Sequence, residues 1–436
     1  MYSMKVIVVG SGGREHAISW KLAQSPEVSR VICVPGNGGT AREEKCVNVA
    51  SDDPVALALQ ESCSLAVIGP EDPLAQGIAD RFWQAGIPCV GPKSAGAQLE
   101  ASKNSAKEFM RKYGVACARS RTFTDEAVAE EYIRSHGAPV VVKADGLAAG
   151  KGVVVAATVR QAVDAAHRML AEGTLGAAGR KIVVEDYLQG TEISVLAAVS
   201  VTPELAGEGR AAIVPFTTAR DHKRLYDGAQ GPNTGGMGAV APVADVTEEQ
   251  LAQFNAQILE PTLRGMIAEG YDYRGFIFFG LMLTEDGPRA LEYNVRLGDP
   301  ETQAVLPLMD FDFAALCRAI TDGTLKDFAF RWKEGFVVAP VAVSGGYPAS
   351  YRKGMAITFD KAAISESGAK MFIAGAAESG GQLVTSGGRV LACSAYGSTF
   401  DSAWKQAYLA MQSVHFDGMF YRRDIGLPGA AESGEL

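Results

Sequence analysis

The chain has 436 residues, of which 47% are hydrophobic and 21% charged. This is an ordinary composition for a folded protein, and the length exceeds what one hydrophobic core serves, so we expect about two to four domains. The formal net charge of -9 argues against binding nucleic acid or an anionic membrane surface through bulk electrostatics.

The use of cysteine and histidine argues against a disulfide-rich protein and against a zinc protein. The seven cysteines are scattered without C-x-x-C spacing and the five histidines are dispersed, so we predict reduced thiols and no zinc site. Apolar runs stay far below the roughly 20 residues of a transmembrane helix. The first strand breaks at once into a polar, glycine-rich turn, unlike a signal peptide. We therefore predict a cytoplasmic protein with no membrane partner.

The first hundred residues alternate short apolar strands with helical patterns. Strands are predicted at 5–10, 30–36, 65–70 and 87–92, with helices near 14–24, 54–62 and 73–85. Such alternation predicts a parallel, doubly wound α/β sheet. Because each strand ends in Gly or Pro, small-residue loops gather at the carboxyl edge, where such sheets bind ligands.

The N-terminal stretch VVVGSGGREHA resembles a dinucleotide fingerprint only in part. Glu15 occupies the place of the third glycine, and the second strand does not end in an acidic residue for a ribose. A nicotinamide cofactor is therefore weakly supported. Glycines at a helix start can still receive another phosphate, including that of a sugar phosphate.

A different pattern begins with a helix at 102–112 and a compact α+β section at 123–191. This section contains VVKADGLAAGKGVVV (141–155), which fails the P-loop spacing and lacks the Ser or Thr that holds magnesium. Lys143 lies in a strand-like run, where a charge requires an anionic partner. The turn is short enough to fold over a phosphate tail, and the alternative is a surface turn with a solvated Lys151.

A predicted hairpin follows a helix at 247–269, with strands at 275–283 and 289–297 around an Asp-Gly turn. Alternation places Glu292, Asn294 and Arg296 on one face and apolar residues on the other. Carboxylate and amide oxygens suit magnesium, and arginine suits phosphate or carboxylate. The alternative is a solvated sheet face.

Two segments rich in glycine or turn residues each allow two interpretations. GPNTGGMGA (231–239) lets backbone amides approach an anion or is merely a tight loop, and LGDPETQ (297–303) combines a turn with a helix start. From about Phe336 a further unit of strands begins, with an amphipathic helix at 400–414, and the last ten residues, 427–436, are expected to be a frayed tail.

Taken in order, these motifs closely resemble one family. SGGREHA, PGNGGT, GPEDPL, VVKADGLAAGKGV, DHKR, GPNTGGMGA and EYNVRLGDPETQ are similar to the phosphoribosylamine–glycine ligases, which belong to the ATP-grasp enzymes. The resemblance implies a multidomain α/β and α+β fold with a Rossmann-like pre-ATP-grasp domain at 1–102 and a two-lobed ATP-grasp clamp at 103–326. It places the small lobe at 123–191, a mixed C-terminal domain at 327–426 and a tail at 427–436.

The resemblance also implies a reaction. ATP would drive the ligation of glycine to 5-phosphoribosylamine, giving glycinamide ribonucleotide, ADP and phosphate through a glycyl phosphate, as in de novo purine biosynthesis. The implied cofactors are ATP and Mg²⁺ or Mn²⁺, and the expected state is a monomer. A carboxylate is a poor electrophile, so the protein would position the reactants and neutralise phosphate charge without a covalent enzyme intermediate.

Carried over by motif, the resemblance implies four groups of site residues. The ATP site would comprise Lys103, Lys143, Gly150, Lys151, Gly152, the hinge residues Glu185, Asp186, Tyr187 and Leu188, and Glu192 at the ribose. The metal ligands would be Glu292 and Asn294. The reacting groups would meet Arg296, Asp221 and Lys223. The other substrates would contact Gly12, Gly13, Arg14, Asn37, Gly38, Glu71, Gly235, Gly236, Gly238 and Asp299.

Two other functions stay open at this stage. One is another ATP-grasp carboxylate–amine ligase with a different acceptor, against which DHKR followed by GPNTGGMGA argues. The other is a nucleotide-responsive binding module that has lost catalysis, against which the presence of Lys103, Lys143, Glu292 and Asn294 argues.

Overall fold

The computed structural model describes residues 3–148 and 152–430. The predicted site residues Gly150 and Lys151 therefore lie outside the described residues. Within the described ranges, no helix combines the length and the apolar character needed to cross a membrane.

The N-terminal unit is built on a five-stranded parallel sheet. Its strands are β1 (Met4–Gly10), β2 (Val28–Pro35), β3 (Cys46–Asn48), β4 (Leu65–Ile68) and β5 (Cys89–Val90). Its helices are α1 (Gly13–Ala23), α2 (Pro54–Gln60), α3 (Glu71–Ala75), α4 (Ile78–Gln84) and α5 (Ser94–Ala101). The order β3-β2-β1-β4-β5, with every pair parallel, confirms the predicted α/β sheet.

One helix predicted in this unit is two helices in the structure. The pattern at 73–85 is interrupted at Gly77, whose φ of +81° ends α3 and starts α4. A left-handed residue cannot continue a right-handed helix, and only glycine takes this conformation without steric cost.

The next section forms a small lobe after a connecting helix. Its elements are α6 (Lys103–Tyr113), β6 (Ser120–Phe123), α7 (Glu126–His136), β7 (Val140–Ala144), β8 (Val153–Ala156), α8 (Val159–Leu170) and β9 (Ile182–Asp186). The strands form a sheet in the order β6-β9-β7-β8, in which β7 and β8 pair as an antiparallel hairpin. Alanine and valine side chains of α8 and the sheet make a separate small core.

The large lobe contributes long antiparallel strands and five helices. Its elements are β10 (Thr191–Val201), α9 (Pro203–Gly207), β11 (Ala212–Asp221), β12 (Arg224–Tyr226), β13 (Gln230–Asn233), β14 (Gly238–Ala241), α10 (Glu248–Phe254), α11 (Glu260–Ala268), β15 (Tyr273–Thr284), β16 (Gly287–Asn294), α12 (Glu301–Val305) and α13 (Phe313–Asp322). A π-helical turn at Asn255–Leu259 joins α10 to α11.

The last section continues the same architecture. Its elements are β17 (Phe336–Val343), β18 (Thr358–Phe359), α14 (Lys361–Ser367), β19 (Lys370–Ile373), β20 (Ala376–Ser379), β21 (Gln382–Thr385), β22 (Arg389–Gly397), α15 (Phe400–Gln412) and β23 (Val414–His415). Short 3₁₀ turns lie at Thr40–Arg42, Gly176–Arg180, Leu306–Leu308 and Leu325–Asp327.

One sheet of eight strands runs through both of these sections, in the order β16-β15-β10-β11-β14-β17-β22-β19. Its central strands are apolar on both faces because each face covers a different core. Leu196 and Phe278 pack into one core, while Val195 and Phe279 pack into the other. The carboxyl edge of the N-terminal sheet, the small lobe and one end of this long sheet thereby surround the polar clefts described next.

Candidate functional site: two neighbouring clefts

A cavity of about 740 Å³ lies between the small lobe and the β15–β16 hairpin. We name it the nucleotide cleft. Many of the sequence-predicted ligands line it: Glu71, Lys103, Lys143, Gly152, Glu185, Asp186, Tyr187, Leu188, Glu192, Lys223, Glu292, Asn294 and Arg296. Residues far apart in the chain, such as Glu71, Gly152 and Asn294, thus share one cavity only through the fold.

Lys143 meets the anionic partner that its place in a strand required. Val141 pairs with Glu185 across β7 and β9, so the side chains of Lys143 and Glu185 lie on the same face. The Lys143 Nζ donates to Glu185 Oε2 at 3.0 Å and to the Leu291 carbonyl oxygen at 3.4 Å. Lys107 adds a second ion pair to Glu185 Oε2 at 3.1 Å.

The start of α6 is attached to the loop that follows β7. Asp145 Oδ1 accepts from the Ser102 hydroxyl at 2.9 Å and from the Asn104 amide at 2.7 Å, while Ser102 caps the helix. These contacts place Lys103, the first helical residue, in the cleft, with its Nζ 3.7 Å from Glu292 Oε2.

Lys223 and Glu192 form a close ion pair at the other side of the cleft. Burial by itself would lower the pKa of Lys223, but the carboxylates of Glu192, Glu292 and Asp221 raise it above the ordinary value. Lys223 therefore stays cationic at neutral pH. Glu192, predicted at the ribose, lines the cleft with its carboxylate already engaged.

Glu292 and Asn294 present oxygen ligands toward the cleft from β16, while Tyr293 is buried on the opposite face. Burial would raise the pKa of Glu292, but the charges of Lys103, Lys223 and Lys143 lower it to about 2, so the carboxylate is ionised. Asn294 Oδ1 accepts from the Arg296 guanidinium at 3.3 Å.

This donor set suits a hard divalent ion that shares its shell with phosphate. Magnesium commonly takes one or two protein oxygens and completes its shell with water and substrate phosphates. No group of three or more His, Cys, Asp or Glu residues that holds a metal on its own occurs within residues 3–148 and 152–430. The residues present therefore fit a nucleotide-bound metal better than an all-protein cage.

Arg296 follows the last strand residue and is held by two carboxylates. Its Nε donates to Glu71 Oε2 at 3.1 Å and its Nη2 donates to Glu100 Oε1 at 2.7 Å. Glu100 was not predicted from the sequence. Its second oxygen accepts from the Val295 amide at 2.7 Å, so this buried residue orients both the strand end and the guanidinium.

The glycine-rich segment at 233–238 lies beside these groups and is fastened on both sides. The Gly235 amide donates to the Tyr347 hydroxyl at 2.8 Å, and Arg389 Nη1 donates to the Gly235 carbonyl oxygen at 2.5 Å. Gly236 has a φ of +113°, and a Cβ there would lie 2.5 Å from Asp221 Oδ1. Glycine is therefore required for this loop to approach Asp221. Asp221 and Gly235–Gly238 border the cleft rather than line it.

A second cavity, of about 600 Å³, lies between the N-terminal unit and the last section. We name it the glycine-loop cleft. Its lining includes Gly12, Asn37, Gly38, Asp299 and Arg389, together with residues 374–378 and 386–387. Gly12, Asn37, Gly38 and Asp299 were predicted substrate-binding residues, and the fold brings them together.

Other predicted substrate residues have different surroundings. Arg14 is buried, pairs with Glu15 at 2.6 Å and donates to the Leu297 carbonyl oxygen at 3.1 Å. Gly13 packs closely against Gln303, since a Cβ at this position would lie 2.6 Å from Gln303 Nε2. The side chain of Asn37 accepts from the Gly39 and Thr40 amides and donates to the Ile373 carbonyl oxygen at 2.8 Å. Since these bonds occupy the side chain, a ligand would meet the backbone of this residue.

Arg389 connects the two clefts and was not predicted. Its guanidinium donates to the Asp299 carbonyl oxygen at 2.8 Å and lies 3.4 Å from the Asp299 carboxylate, in addition to its bond to Gly235. The sequence signal that points to it is the turn SGGR at 386–389 directly before a strand.

A C-terminal strap, defined as residues 422–430, completes the nucleotide cleft. Arg422 is fully buried, its Nε and Nη2 each donate to Asp424 at 2.8 Å, and its Nη2 also donates to the Ala430 carbonyl oxygen at 2.9 Å. Asp424 Oδ2 accepts from the Gly228 amide at 2.7 Å in the loop between β12 and β13. Gly429, in the segment expected to be a frayed tail, lines the cleft.

Comparison with known proteins agrees with this architecture over nearly the whole chain. Three family models match: "Phosphoribosylglycinamide synthetase, N domain" at residues 4–100, the ATP-grasp (A) domain at 101–302 and the C domain at 337–428. A protein of Clostridium acetobutylicum named phosphoribosylamine–glycine ligase is 46% identical over 97% of this chain and 99% of its own length. A relative of the same name from Vibrio vulnificus strain YJ016 is 44% identical over 97% of this chain and 98% of its own length.

Solved structures show the same relationship. The crystal structure of phosphoribosylamine–glycine ligase from Thermotoga maritima has a TM-score of 0.83 and 35% identity, and the match covers 97% of this chain and 100% of that one. The biotin carboxylase domain of Hydrogenobacter thermophilus 2-oxoglutarate carboxylase shares the fold alone, with a TM-score of 0.71 and 14% identity over 96% of this chain and 92% of that one. The chain therefore belongs to the phosphoribosylglycinamide synthetase family, and its central domain has the ATP-grasp fold.

Proposed function

We propose that this protein ligates glycine to 5-phosphoribosylamine with ATP, yielding glycinamide ribonucleotide, ADP and phosphate in purine biosynthesis. The observation that carries the proposal is the adjacency of the two clefts. One is large enough for a nucleotide and is rich in cations, and the other is lined by glycine loops, Asp299 and Arg389. Arg389 of the second cleft donates to the carbonyl oxygen of Gly235, which directly follows Thr234 in the lining of the first. The family of the chain supports the same reaction.

In this proposal the adenine lies against the hinge at 185–188. Glu185 Oε1 is buried and has no hydrogen-bond partner among the described residues, so it is an acceptor for an exocyclic amine. Lys143, Lys103 and the backbone near Gly152 face the phosphate tail, and Glu192 takes the ribose hydroxyls. The β7–β8 hairpin closes over the phosphates, as its position at the edge of the cleft allows.

Glu292 and Asn294 would hold a divalent metal ion, magnesium or manganese, against the phosphates. Such an ion supplies neutralisation of phosphate charge during transfer. Ionised Glu292 attracts the ion, and the guanidinium beside Asn294 contributes positive charge at the same end of the cleft.

Activation of glycine requires its carboxylate to meet the terminal phosphate. We assign Arg296 and Lys223 to neutralise the two anions as they approach, which lowers the barrier through positioning and preorganised charge. Arg296 is preorganised because Glu71 and Glu100 hold its guanidinium. Asp221 and the amides of Gly235, Gly236 and Gly238 border the acyl phosphate, and no cysteine takes part.

The sugar phosphate lies in the glycine-loop cleft in this proposal. Gly12 and Gly38 line this cleft and offer a backbone free of Cβ atoms. Gly13 is the first residue of α1, whose helix amides favour an anion. Arg389 adds the cationic side chain. The sugar amine then points toward Asp299 and the junction of the two clefts, where it attacks the activated carbonyl.

We further propose domain limits at 102, 326 and 426, a monomeric state and a cytoplasmic location. The partners would be limited to glycine, phosphoribosylamine and ATP. A continuous sheet across residue 326 favours treating the last two domains as one rigid unit.

A phosphate-release assay with ATP and magnesium tests the function. We expect turnover only when glycine and phosphoribosylamine are both present, with glycinamide ribonucleotide formed in equal amount to ADP. Equal turnover with other amine acceptors would replace the proposal with a carboxylate–amine ligase of different specificity.

A further inference from the structure

Three charged side chains form a buried cluster behind the nucleotide cleft. Lys107 on α6, Lys143 on β7 and Glu185 on β9 are exposed by only 5%, 6% and 2%. Lys107 Nζ lies 3.1 Å and Lys143 Nζ 3.0 Å from the same oxygen, Glu185 Oε2. Lys143 and Glu185 line the cleft, whereas Lys107 lies behind Glu185 and does not.

The charges of this cluster do not balance. Two ammonium groups and one carboxylate leave one positive charge in excess in a site almost closed to water. Both lysines converge on Oε2, and Glu185 Oε1 has no hydrogen-bond partner among the residues described. A buried charge of this kind is costly unless an anion compensates it.

A purely structural role explains Lys107 poorly. Its Nζ forms no hydrogen bond of good geometry to any described residue, although it is buried beside Glu185. An apolar side chain of similar length would fill the same space without the desolvation cost of an ammonium. The excess charge becomes favourable when an anionic ligand enters the cleft on the other side of Glu185.

We propose that Lys107 is a positioning residue for nucleotide binding, which holds the Glu185 carboxylate ionised and turned so that Oε1 faces the cleft. Lys107 also supplies a share of the counter-charge of Glu185. Lys143 is thereby left with positive charge for the phosphate tail. The inference rests on the nucleotide site of the proposed function and adds a residue that does not touch the nucleotide.

The electrostatics of Glu185 agree with this role. Burial would raise the pKa of Glu185, but the charges of Lys143 and Lys107 hold it below the ordinary value. The titratable groups that face Glu185 from the packed elements are Lys143, Lys107 and the Cys117 thiol. Burial lowers the pKa of Lys107, which the Glu185 carboxylate opposes, and burial raises the pKa of Cys117. Without Lys107, one of the two opposing charges is lost, and the pKa of Glu185 rises.

The test compares ATP affinity in Lys107→Met, Lys107→Arg and Lys112→Met. Lys112 is on the same helix but 63% exposed, where it pairs with Glu269, so it controls for changes in α6. By calorimetric titration we expect Lys107→Met to weaken ATP binding by about tenfold at neutral pH, with a further loss as the pH falls and Glu185 protonates. Lys107→Arg restores most of the affinity and the flat pH profile of the wild type.

The outcomes separate this inference from the proposed function. If the wild type does not bind ATP, the nucleotide site itself is wrong. If the wild type binds ATP and Lys107→Met matches Lys112→Met at every pH, Lys107 is structural and the inference is overturned. Should Lys107→Met not fold, Lys107→Gln takes its place, with the ATP-induced rise in Tm as the readout and the same comparison with Lys112→Met.

Discussion

At the scale of single residues, charge in the nucleotide cleft depends on which side chains surround each group. Glu292 and Glu100 are both glutamates, but nearby cations lower the pKa of Glu292, whereas burial raises the pKa of Glu100. Glu292 is therefore ready to bind a cation, while Glu100 holds the guanidinium of Arg296 and the Val295 amide.

Replacing Glu292 by Gln tests its assigned role. We expect kcat for phosphate release to fall by roughly 10²–10³, because the carboxylate that would hold the metal is lost. The fold is retained because the side chain is on the polar face of β16. Glu285→Gln, in the exposed turn of the same hairpin, is the matched control. A near-normal kcat would remove Glu292 from the metal site.

His222 makes a pH-dependent contribution to stability. It is fully buried, donates from Nδ1 to the Gly238 carbonyl oxygen at 3.2 Å and accepts from the Gly426 amide at Nε2 at 3.0 Å. These two bonds require the neutral ring, and burial, with the charge of Arg422, lowers the pKa of His222 to about 3.

Because the unfolded chain binds this proton more readily, the stabilisation is complete above the ordinary pKa of about 6.5 and is lost as the pH falls toward about 3. The loss is at most about 1.4 kcal/mol per pH unit. We expect the difference in unfolding free energy between wild type and His222→Gln to shrink from about pH 7.5 to about pH 5. For exposed His167, whose pKa Glu126 raises, His167→Gln gives the opposite trend. A constant difference for His222→Gln would contradict the assignment.

At the scale of elements, the β15–β16 hairpin and the C-terminal strap position the cleft in different ways. The hairpin follows its local pattern, since Tyr293 and Val295 are buried and Glu292 and Asn294 face the cleft. The strap has no such pattern. Its position depends on tertiary bonds: buried Arg422 donates to the Arg224 carbonyl oxygen of β12, and Asp424 accepts from the Gly228 amide of the β12–β13 loop.

Asp424→Asn tests the strap. The substitution removes the partner charge of buried Arg422 and weakens the acceptor for the Gly228 amide. We expect a loss of stability of about 3 kcal/mol and a Kd for ATP raised several-fold, because the loop that borders the cleft is released. Limited proteolysis and ATP titration measure the two effects. Asp417→Asn, at the exposed pair with Arg352, should leave both nearly unchanged.

At the scale of the whole molecule, the glycine-loop cleft exists because the two ends of the chain meet. The glycine-loop cleft combines residues 11–12 and 35–38 with residues 374–378, residues 386–387 and Arg389. His16 and Glu43 contribute to this contact, since the Ile373 amide donates to His16 Nδ1 at 2.8 Å and Lys370 pairs with Glu43.

Arg389→Met tests the connection between the clefts. We expect the KM for phosphoribosylamine to rise by about tenfold or more, through loss of the proposed charge-assisted contact to the sugar phosphate, while the Kd for ATP stays within about twofold. Arg352→Met, on the surface of the same section, controls for the lost charge. An unchanged KM would exclude Arg389 from substrate binding.

The sequence by itself determined the element types, the parallel N-terminal sheet, the two faces of β16 and the family. These features follow from local hydrophobic periodicity and from motifs in a fixed order, which any correct fold of the chain must respect. The helix at 73–85 was wrong in one detail, because a single left-handed glycine divides it.

Only the tertiary structure decided which partners each charge has. Glu100 meets Arg296 across 196 residues, Arg389 meets Gly235 across 154, and Lys107 meets Glu185 through the packing of α6 on the small lobe. Local pattern carries no information on such pairs, since an isolated charge on a helix or turn is equally suited to solvent. Burial in a shared site makes each pairing necessary, because an unpaired charge there costs several kcal/mol.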